Sequence, residues 1–227
     1  KKKKINTSFI FQDDTHPSGV ALINVDALGE NCIAVAPGAN NALQAGEVLH
    51  AFQELTANDI VLIQLEIPMT TVEAAIENAF QKKAKIILNP APAALLKAAI
   101  LKYLYLITPN ETEVELLTGI KVTNAETAEK ASIILRKSGC QNVIITLGSQ
   151  GAYLHTDSIQ KMIAAPTVTA IDTTAAGDCF NGALAVALAE GKNLEEATHF
   201  ACQAAAISVT RMGAQSALPL RHEIIQQ

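Results

Sequence analysis

Asp172-Thr173-Thr174-Ala175-Ala176-Gly177-Asp178-Cys179-Phe180-Asn181-Gly182 joins small, flexible residues to two acids just ahead of an apolar run, Ala183 to Ala189. Thr174 to Gly177 carry little side-chain bulk, so backbone N–H groups there can come close to an anion. A helix starting at the same point adds the positive end of its dipole. An anion cradle beside a carboxylate is what moving a phosphoryl group onto a hydroxyl requires. The N–H groups of Ala175, Ala176 and Gly177 would stabilise charge on the phosphate, and Asp178 would accept the hydroxyl proton. Taken by itself, the Gly-Asp pair is also an ordinary helix start, with Asp178 as N-cap or first-turn acid.

Four further segments hold groups of chemical interest. In Thr108-Pro109-Asn110-Glu111-Thr112-Glu113, an Asn is followed three residues later by an acid. Such a pair can serve Mg²⁺, often through water, and it can equally be a helix cap with Asn110 at N-cap and Glu113 at N3. Thr146-Leu147-Gly148-Ser149-Gln150-Gly151 has two glycines three apart, a tight turn that could lie against a nucleotide or simply join two strands. Glu66 stands in Gln64-Leu65-Glu66-Ile67-Pro68, at a strand end, where it could accept sugar hydroxyls or be a solvated loop acid. Ser208 to Gln215 is predicted to end a helix with Gly213 as C-cap, leaving carbonyls that can coordinate a cation. The five histidines show no ligand spacing.

Alternating elements must position these groups. Gly19 to Val25 and Asn31 to Ala36 predict a β-hairpin whose connection, Asp26 to Glu30, contains Gly29. Strands are predicted at Ile60–Leu65, Lys85–Leu88, Tyr103–Thr108 and Asn142–Leu147. Helices are predicted at Thr70–Lys83, Glu111–Leu117, Asn124–Ser138, Gly177–Glu190 and Leu194–Thr210, with shorter β segments between Gly151 and Val168. This alternation implies right-handed crossovers and a mostly parallel sheet covered on both faces, so continuous apolar runs such as Val143-Ile144-Ile145 are expected. Ligands in such sheets bind beyond the carboxyl ends of the strands, where the chemically interesting segments fall.

Hydrophobic residues make up 49% and charged residues 17% of the chain, a globular balance. Aromatics at 4% and no Trp argue against a stacking platform for single-stranded nucleic acid. A net charge of −5 provides no basic field for DNA or anionic lipid. The only basic run, Lys1 to Lys4, reads as a solvated end. Cys32, Cys140, Cys179 and Cys202 are far apart in sequence and form no C-x-x-C pair, which suits reduced thiols in a cytosol better than a zinc site or disulfide framework. No apolar stretch is long enough to span a membrane, no apolar signal core follows the lysines, and the expected location is cytoplasmic. Walker, protein-kinase and H-E-x-x-H motifs are absent, so a phosphate cradle, if one exists, must be the Ala-Ala-Gly-Asp turn.

The 172–182 segment closely resembles the signature of the ribokinase family of sugar kinases (PfkB type). Gly38-Ala39-Asn40, Asn89-Pro90-Ala91-Pro92-Ala93 and Ile107 to Glu113 extend the resemblance from the Gly19 hairpin to the Gly213 loop. It implies a ribokinase-like three-layer α/β/α fold with a mostly parallel central sheet and a small β lid, and transfer of the ATP γ-phosphate to the 5-hydroxyl of D-ribose. By the same resemblance Asp178 is the base and contacts the sugar, and Glu66 lies near the sugar. Asn110, the 146–151 loop, Gly177 and, near the adenine ring, Cys202 contact ATP, while Glu113 serves Mg²⁺ through water. Asp172, Thr174, Ser208, Arg211, Gly213 and Ala217 match a K⁺ loop, although relatives often carry a hydroxyl residue at the Ala217 position. A homodimer through the lid is expected, with residues 1–41 as an N-terminal part bearing the lid hairpin and 42–227 as the nucleotide-binding and catalytic core.

The family also has an earlier segment that starts the central sheet and carries a Gly-Gly-Lys-Gly-x-Asn sugar motif, whereas this sequence contains no Gly-Gly pair. A start without Met, in a lysine run, reads like an entry partway through a longer protein. Two alternatives stand beside the ribose kinase: a non-catalytic nucleotide-binding remnant whose exposed sheet edge favours association, and a kinase for another sugar or nucleoside.

Overall fold

The computed structural model describes residues 5–25 and 31–225. Strands β1 (Val20–Val25) and β2 (Asn31–Ala36) pair antiparallel with Val20 opposite Ala36, as their apolar runs predict. The predicted connection Asp26–Glu30 and the Lys1–Lys4 end lie outside the described residues. Val20, Leu22 and Val35 are more than half exposed, at 54%, 65% and 59%. A two-stranded ribbon of this kind buries too little to be stable alone. Its base is fixed by the turn at Gly38, where φ is +53° and the Ala39 N–H donates to Pro17 O at 2.8 Å. A Cβ on Gly38 would stand 2.2 Å from that same oxygen, so the turn needs glycine twice over.

Past α1 (Ala45–Ala51) the chain alternates through β3 (Ile60–Ile63), α2 (Met69–Gln81), β4 (Lys85–Leu88), α3 (Ala98–Leu101), β5 (Leu106–Ile107), α4 (Glu111–Thr118), α5 (Ala125–Lys137) and β6 (Val143–Thr146). The hairpin strands β7 (Ala152–His155) and β8 (Gln160–Ile163) follow, then α6 (Ala176–Ala189), α7 (Leu194–Ser208) and α8 (Arg221–Ile225). The main sheet runs β3-β4-β5-β6-β7-β8, parallel through β6 and antiparallel beyond it.

Successive residues of the inner strands β4 to β7 enter different cores. Ile86, Leu88, Ile107, Val143 and Ile145 pack with Val72 and Ile76 of α2 and Leu135 of α5. Ile87, Leu106, Ile144 and Leu154 pack with Leu184 of α6 and Ala201 and Ile207 of α7. Burying both strand faces, at roughly 1.5–3 kcal/mol per large aliphatic side chain, selects the three-layer arrangement that the apolar runs foretell.

Several boundaries differ from expectation; β3, for one, ends at Ile63 rather than Leu65, beyond which Leu65 N–H donates to Ala91 O at 2.8 Å. The third strand shrinks from Tyr103–Thr108 to Leu106–Ile107 because neighbouring partners replace the ladder: Leu104 O accepts from Gln141 N, and Tyr105 O from the Asn142 side chain. α2 stops at Gln81, followed by Lys83 with φ +61°. α7 ends at Ser208, not at Gly213, because Val209 O is taken by the N–H groups of Ile171 (2.7 Å) and Asp172 (3.1 Å). Gly213, at φ +90°, therefore closes a separate loop. The short helices α1, α3 and α8 carry no pattern strong enough to be predicted.

His155, on β7, is 6% exposed, with Nδ1 2.7 Å from Ser132 Oγ of α5. Burial, then the Arg136 charge, hold its imidazole below the ordinary 6.5, against smaller opposing effects of Glu129 and Asp157. A histidine depressed in the folded state contributes stability above its unfolded pKa that is lost as pH falls through that range. Thermal melts should therefore show Tm falling between about pH 7 and about pH 5, and His155→Asn should flatten that slope. An unchanged slope in the variant would assign the acid sensitivity to other groups.

Candidate active site

The predicted site segments gather at the carboxyl ends of the parallel strands. Thr146 N–H donates to Pro109 O at 2.9 Å, and Asn110 and Thr146 form a parallel bridge, so the Asn110/Glu113 element and the 146–151 loop lie side by side. Asn110 caps α4: its side chain accepts from Glu113 N at 2.9 Å, and Glu113 Oε2 accepts from Asn110 N at 2.9 Å. This reciprocal box is one of the two roles foreseen for the pair. Glu113 is 5% exposed with no cationic side chain paired to it among the described residues, and burial pushes its carboxyl pKa up.

The 146–151 loop connects β6 to β7 as a turn closed by Leu147 N–H to Gly151 O at 2.8 Å. Gly151 is obligatory there, since at φ +100° a Cβ would meet Ile163 O at 2.1 Å. Gly148, Ser149 and Gln150 are exposed, whereas Leu147 is buried.

The cradle forms where α6 begins. Ala175 takes the left-handed conformation at φ +58°, a position costly for a residue with a Cβ and characteristic of functional turns. Ala176 N–H donates to Thr173 O at 3.2 Å and Cys179 N–H to Ala175 O at 2.9 Å. Among the described residues the N–H groups of Ala175, Gly177 and Asp178 are left without an acceptor. The turn thus engages the Ala176 donor that the sequence assigned to the anion, while Asp178 contributes an N–H that the sequence did not signal. Asp178 and Gly177 are exposed. Asp178 borders a cavity of about 270 Å³ whose other walls include Gly182, Val186, Phe200, Leu218 and Arg221.

Asp172 ties the loop before the cradle to the loop after α7. Its Oδ1 accepts from Thr174 N at 2.9 Å and its Oδ2 from Gly213 N at 2.8 Å. Hydrogen bonding, led by the Thr174 hydroxyl, holds its pKa below the usual carboxylate value. Arg211 is turned to Glu223, with Nη2 to Oε1 at 2.5 Å. The carbonyls of Asp172, Thr174, Arg211 and Gly213 accept no hydrogen bond among the described residues. Such free oxygens on two adjoining loops suit a weakly hydrated monovalent cation. Ser208 and Ala217 are buried beside them in sequence, at 2% and 1% exposure.

Two predicted residues stand in other surroundings. Glu66 is exposed beyond β3, accepting from Gln64 Nε2 at 3.1 Å. Cys202 is 4% exposed within the α6–α7 core, and burial pushes its thiol pKa up to about 12. A larger cavity, about 470 Å³, opens between the hairpin base and the start of α2, lined by His16, Asn41, Gln44 and Thr71. No predicted site residue lines it.

Residues 1–221 match the family described as pfkB family carbohydrate kinase. The chain belongs to that family. Ribokinase of Haemophilus influenzae is 41% identical over 222 residues, which cover 98% of this chain and 72% of that protein. The crystal structure of ribokinase from Thermotoga maritima matches with a TM-score of 0.79 at 42% identity, covering 92% of this chain and 69% of that one. Arabidopsis thaliana ribokinase, solved with ribose and ATP, matches with a TM-score of 0.82 at 30% identity, over 93% and 69%. The pfkB-type chain is thus a phosphotransferase with the ribokinase-like fold, and no helix among its described residues is long and apolar enough to cross a membrane.

Proposed function

We propose that the chain phosphorylates D-ribose at O5 with ATP, giving D-ribose 5-phosphate. The observation that carries this reading is the α6 turn: the N–H groups of Ala175, Gly177 and Asp178, without acceptors among the described residues, stand beside an exposed carboxylate. Likeness to the ribokinases, one of them solved with ribose and ATP, supports the choice of substrates.

Asp178 takes the proton from the sugar hydroxyl as it attacks. The turn's N–H groups and the dipole of α6 oppose the charge that builds on the transferring phosphoryl. Asn110, Thr146 and the exposed Gly148–Gln150 backbone hold the nucleotide, with Cys202 behind the adenine ring, and Glu66 accepts sugar hydroxyls. Glu113 fits an Mg²⁺ bound through water: it is a buried carboxylate with no cationic partner among the described residues, and its two oxygens already take Asn110 donors. Bound there, Mg²⁺ would neutralise phosphate charge. The free carbonyls of Asp172, Thr174, Arg211 and Gly213, with Ser208 and Ala217 behind them, fit K⁺. Residues 1–41 supply the lid. Its exposed Val20, Leu22 and Val35 suit a homodimer paired through the hairpin. ATP as donor and the free, buried Cys140, Cys179 and Cys202 accord with a cytoplasmic setting.

The test is ADP release from ATP, Mg²⁺ and K⁺ with and without D-ribose, with the product's phosphate located by NMR. Ribose-dependent ADP and a 5-phosphate are expected. Nucleotide binding by calorimetry with no ribose-dependent ADP would overturn the reading in favour of a nucleotide-binding remnant.

A further inference from the structure

Three polar side chains at the strand ends are almost fully buried and joined in a line: Asn89 at 9% exposure, Thr108 at 1% and Asn181 at 3%. Asn89 Nδ2 donates to Thr108 O at 3.2 Å, Thr108 Oγ1 donates to Asn181 Oδ1 at 2.6 Å, and Asn181 Nδ2 donates to Gly177 O at 2.9 Å. Thr108 has one hydroxyl proton and two acceptors in reach, Asn181 Oδ1 at 2.6 Å and Leu88 O at 3.4 Å; the shorter contact takes it. The Asn181 amide then has one workable orientation, because a flip would set Oδ1 against the Gly177 carbonyl.

The end of this line matters most. The Gly177 carbonyl belongs to the peptide whose other half is the Asp178 N–H, and in a trans planar peptide the two point opposite ways. Holding that carbonyl toward Asn181 fixes where the Asp178 N–H points and where the Asp178 side chain leaves the backbone. Buried networks with every member satisfied are stiff, and one partner's loss leaves the others unpaired in a low-dielectric setting. Thr108 also precedes Pro109-Asn110, so the same line reaches the nucleotide element.

We infer that Asn181, held by Thr108, is a positioning residue that sets the geometry of the Gly177–Asp178 peptide for phosphoryl transfer. The inference rests on the reading of Asp178 as the base of a ribose kinase. Asn181→Ala should lower kcat by about 10- to 100-fold while KM for ATP changes less than about threefold, since misplacement of a reacting group falls mainly on kcat. Thr108→Val should show the same split with a smaller loss, and Thr108→Ser, which keeps the hydroxyl, should restore kcat. The Thr108→Val and Asn181→Ala double variant should lose no more than Asn181→Ala alone, as members of one network do.

A second measurement reads the same geometry without activity. Exchange of the Cys179 amide hydrogen, bonded to Ala175 O across the cradle turn, should accelerate at least tenfold in Asn181→Ala and in Thr108→Val, but not in Thr108→Ser. A parent chain without ribose-dependent turnover would defeat the functional reading, and the exchange rates alone would then decide the positioning. Unchanged Cys179 exchange overturns the inference, and so does kcat within twofold of the parent. Should Asn181→Ala fail to fold, the Thr108→Val and Thr108→Ser pair carries the test.

Discussion

Asp178→Asn is expected to lower kcat for ribose phosphorylation by about 10²–10⁴-fold, the usual worth of a positioned base. The substitution is nearly isosteric, and Asp178 is exposed with no side-chain hydrogen bond or ion pair among the described residues, so the fold has little reason to respond. The one structural loss is a negative charge in the first turn of α6, worth roughly 0.3–1 kcal/mol against the helix dipole. An amide cannot take the hydroxyl proton, whereas nucleotide binding through Asn110 and the 146–151 loop should persist. Steady-state ADP release paired with calorimetric ATP titration separates the two effects. Turnover within about threefold of the parent would remove Asp178 from the role of base.

The second large effect is expected at Gly177, where stability and activity should move in opposite directions. Its φ lies outside the left-handed region, and an added Cβ would meet nothing within 4 Å. Neither backbone strain nor crowding explains a glycine here, yet glycine in a helix costs about 1 kcal/mol relative to alanine. The remaining reason is the close approach of a ligand to the unpaired N–H groups. Gly177→Ala should therefore raise stability by roughly 0.5–1 kcal/mol, and Gly177→Val should lower kcat by about 10²–10³-fold by keeping the phosphoryl group off its donors. Thermal melts and kcat measured on Gly, Ala and Val at this position should rank activity in that order. Full activity in the Val variant would show that the phosphate does not approach at Gly177.

The residues that disclose themselves in sequence do so through local rules. The Asn110/Glu113 spacing predicts a capping box because the partners are three residues apart, and the box forms. Val143-Ile144-Ile145 reads as a doubly covered strand because each residue meets a core on one side or the other. Contacts between distant residues escape that logic. Leu104 and Tyr105 look like strand, yet their carbonyls are taken by Gln141 and Asn142. Gly213 looks like a C-cap, but α7 has already ended because the segment before the cradle takes the Val209 carbonyl. Asn181 is the clearest case. It falls within the 172–182 segment, but nothing in that segment assigns it a role, and its partner Thr108 is 73 residues away. The engagement of Ala176 N–H by Thr173 is likewise a matter of turn geometry that residue types do not reveal.

The two cores share no residue, and each anchors a different element of the proposed site. Val114 of α4 anchors the proposed nucleotide element in one, while Cys179 and Phe180 of α6 anchor the proposed base in the other. Substitutions far apart and without common partners tend to add independently. A volume change beneath α5 can thus be absorbed in its own compartment, leaving the base in place, and the reverse holds for repacking between α6 and α7. Such a body can evolve the footing of α4 and the footing of α6 as separate heritable traits, with the Thr108–Asn181 hydrogen bond as the common datum between them.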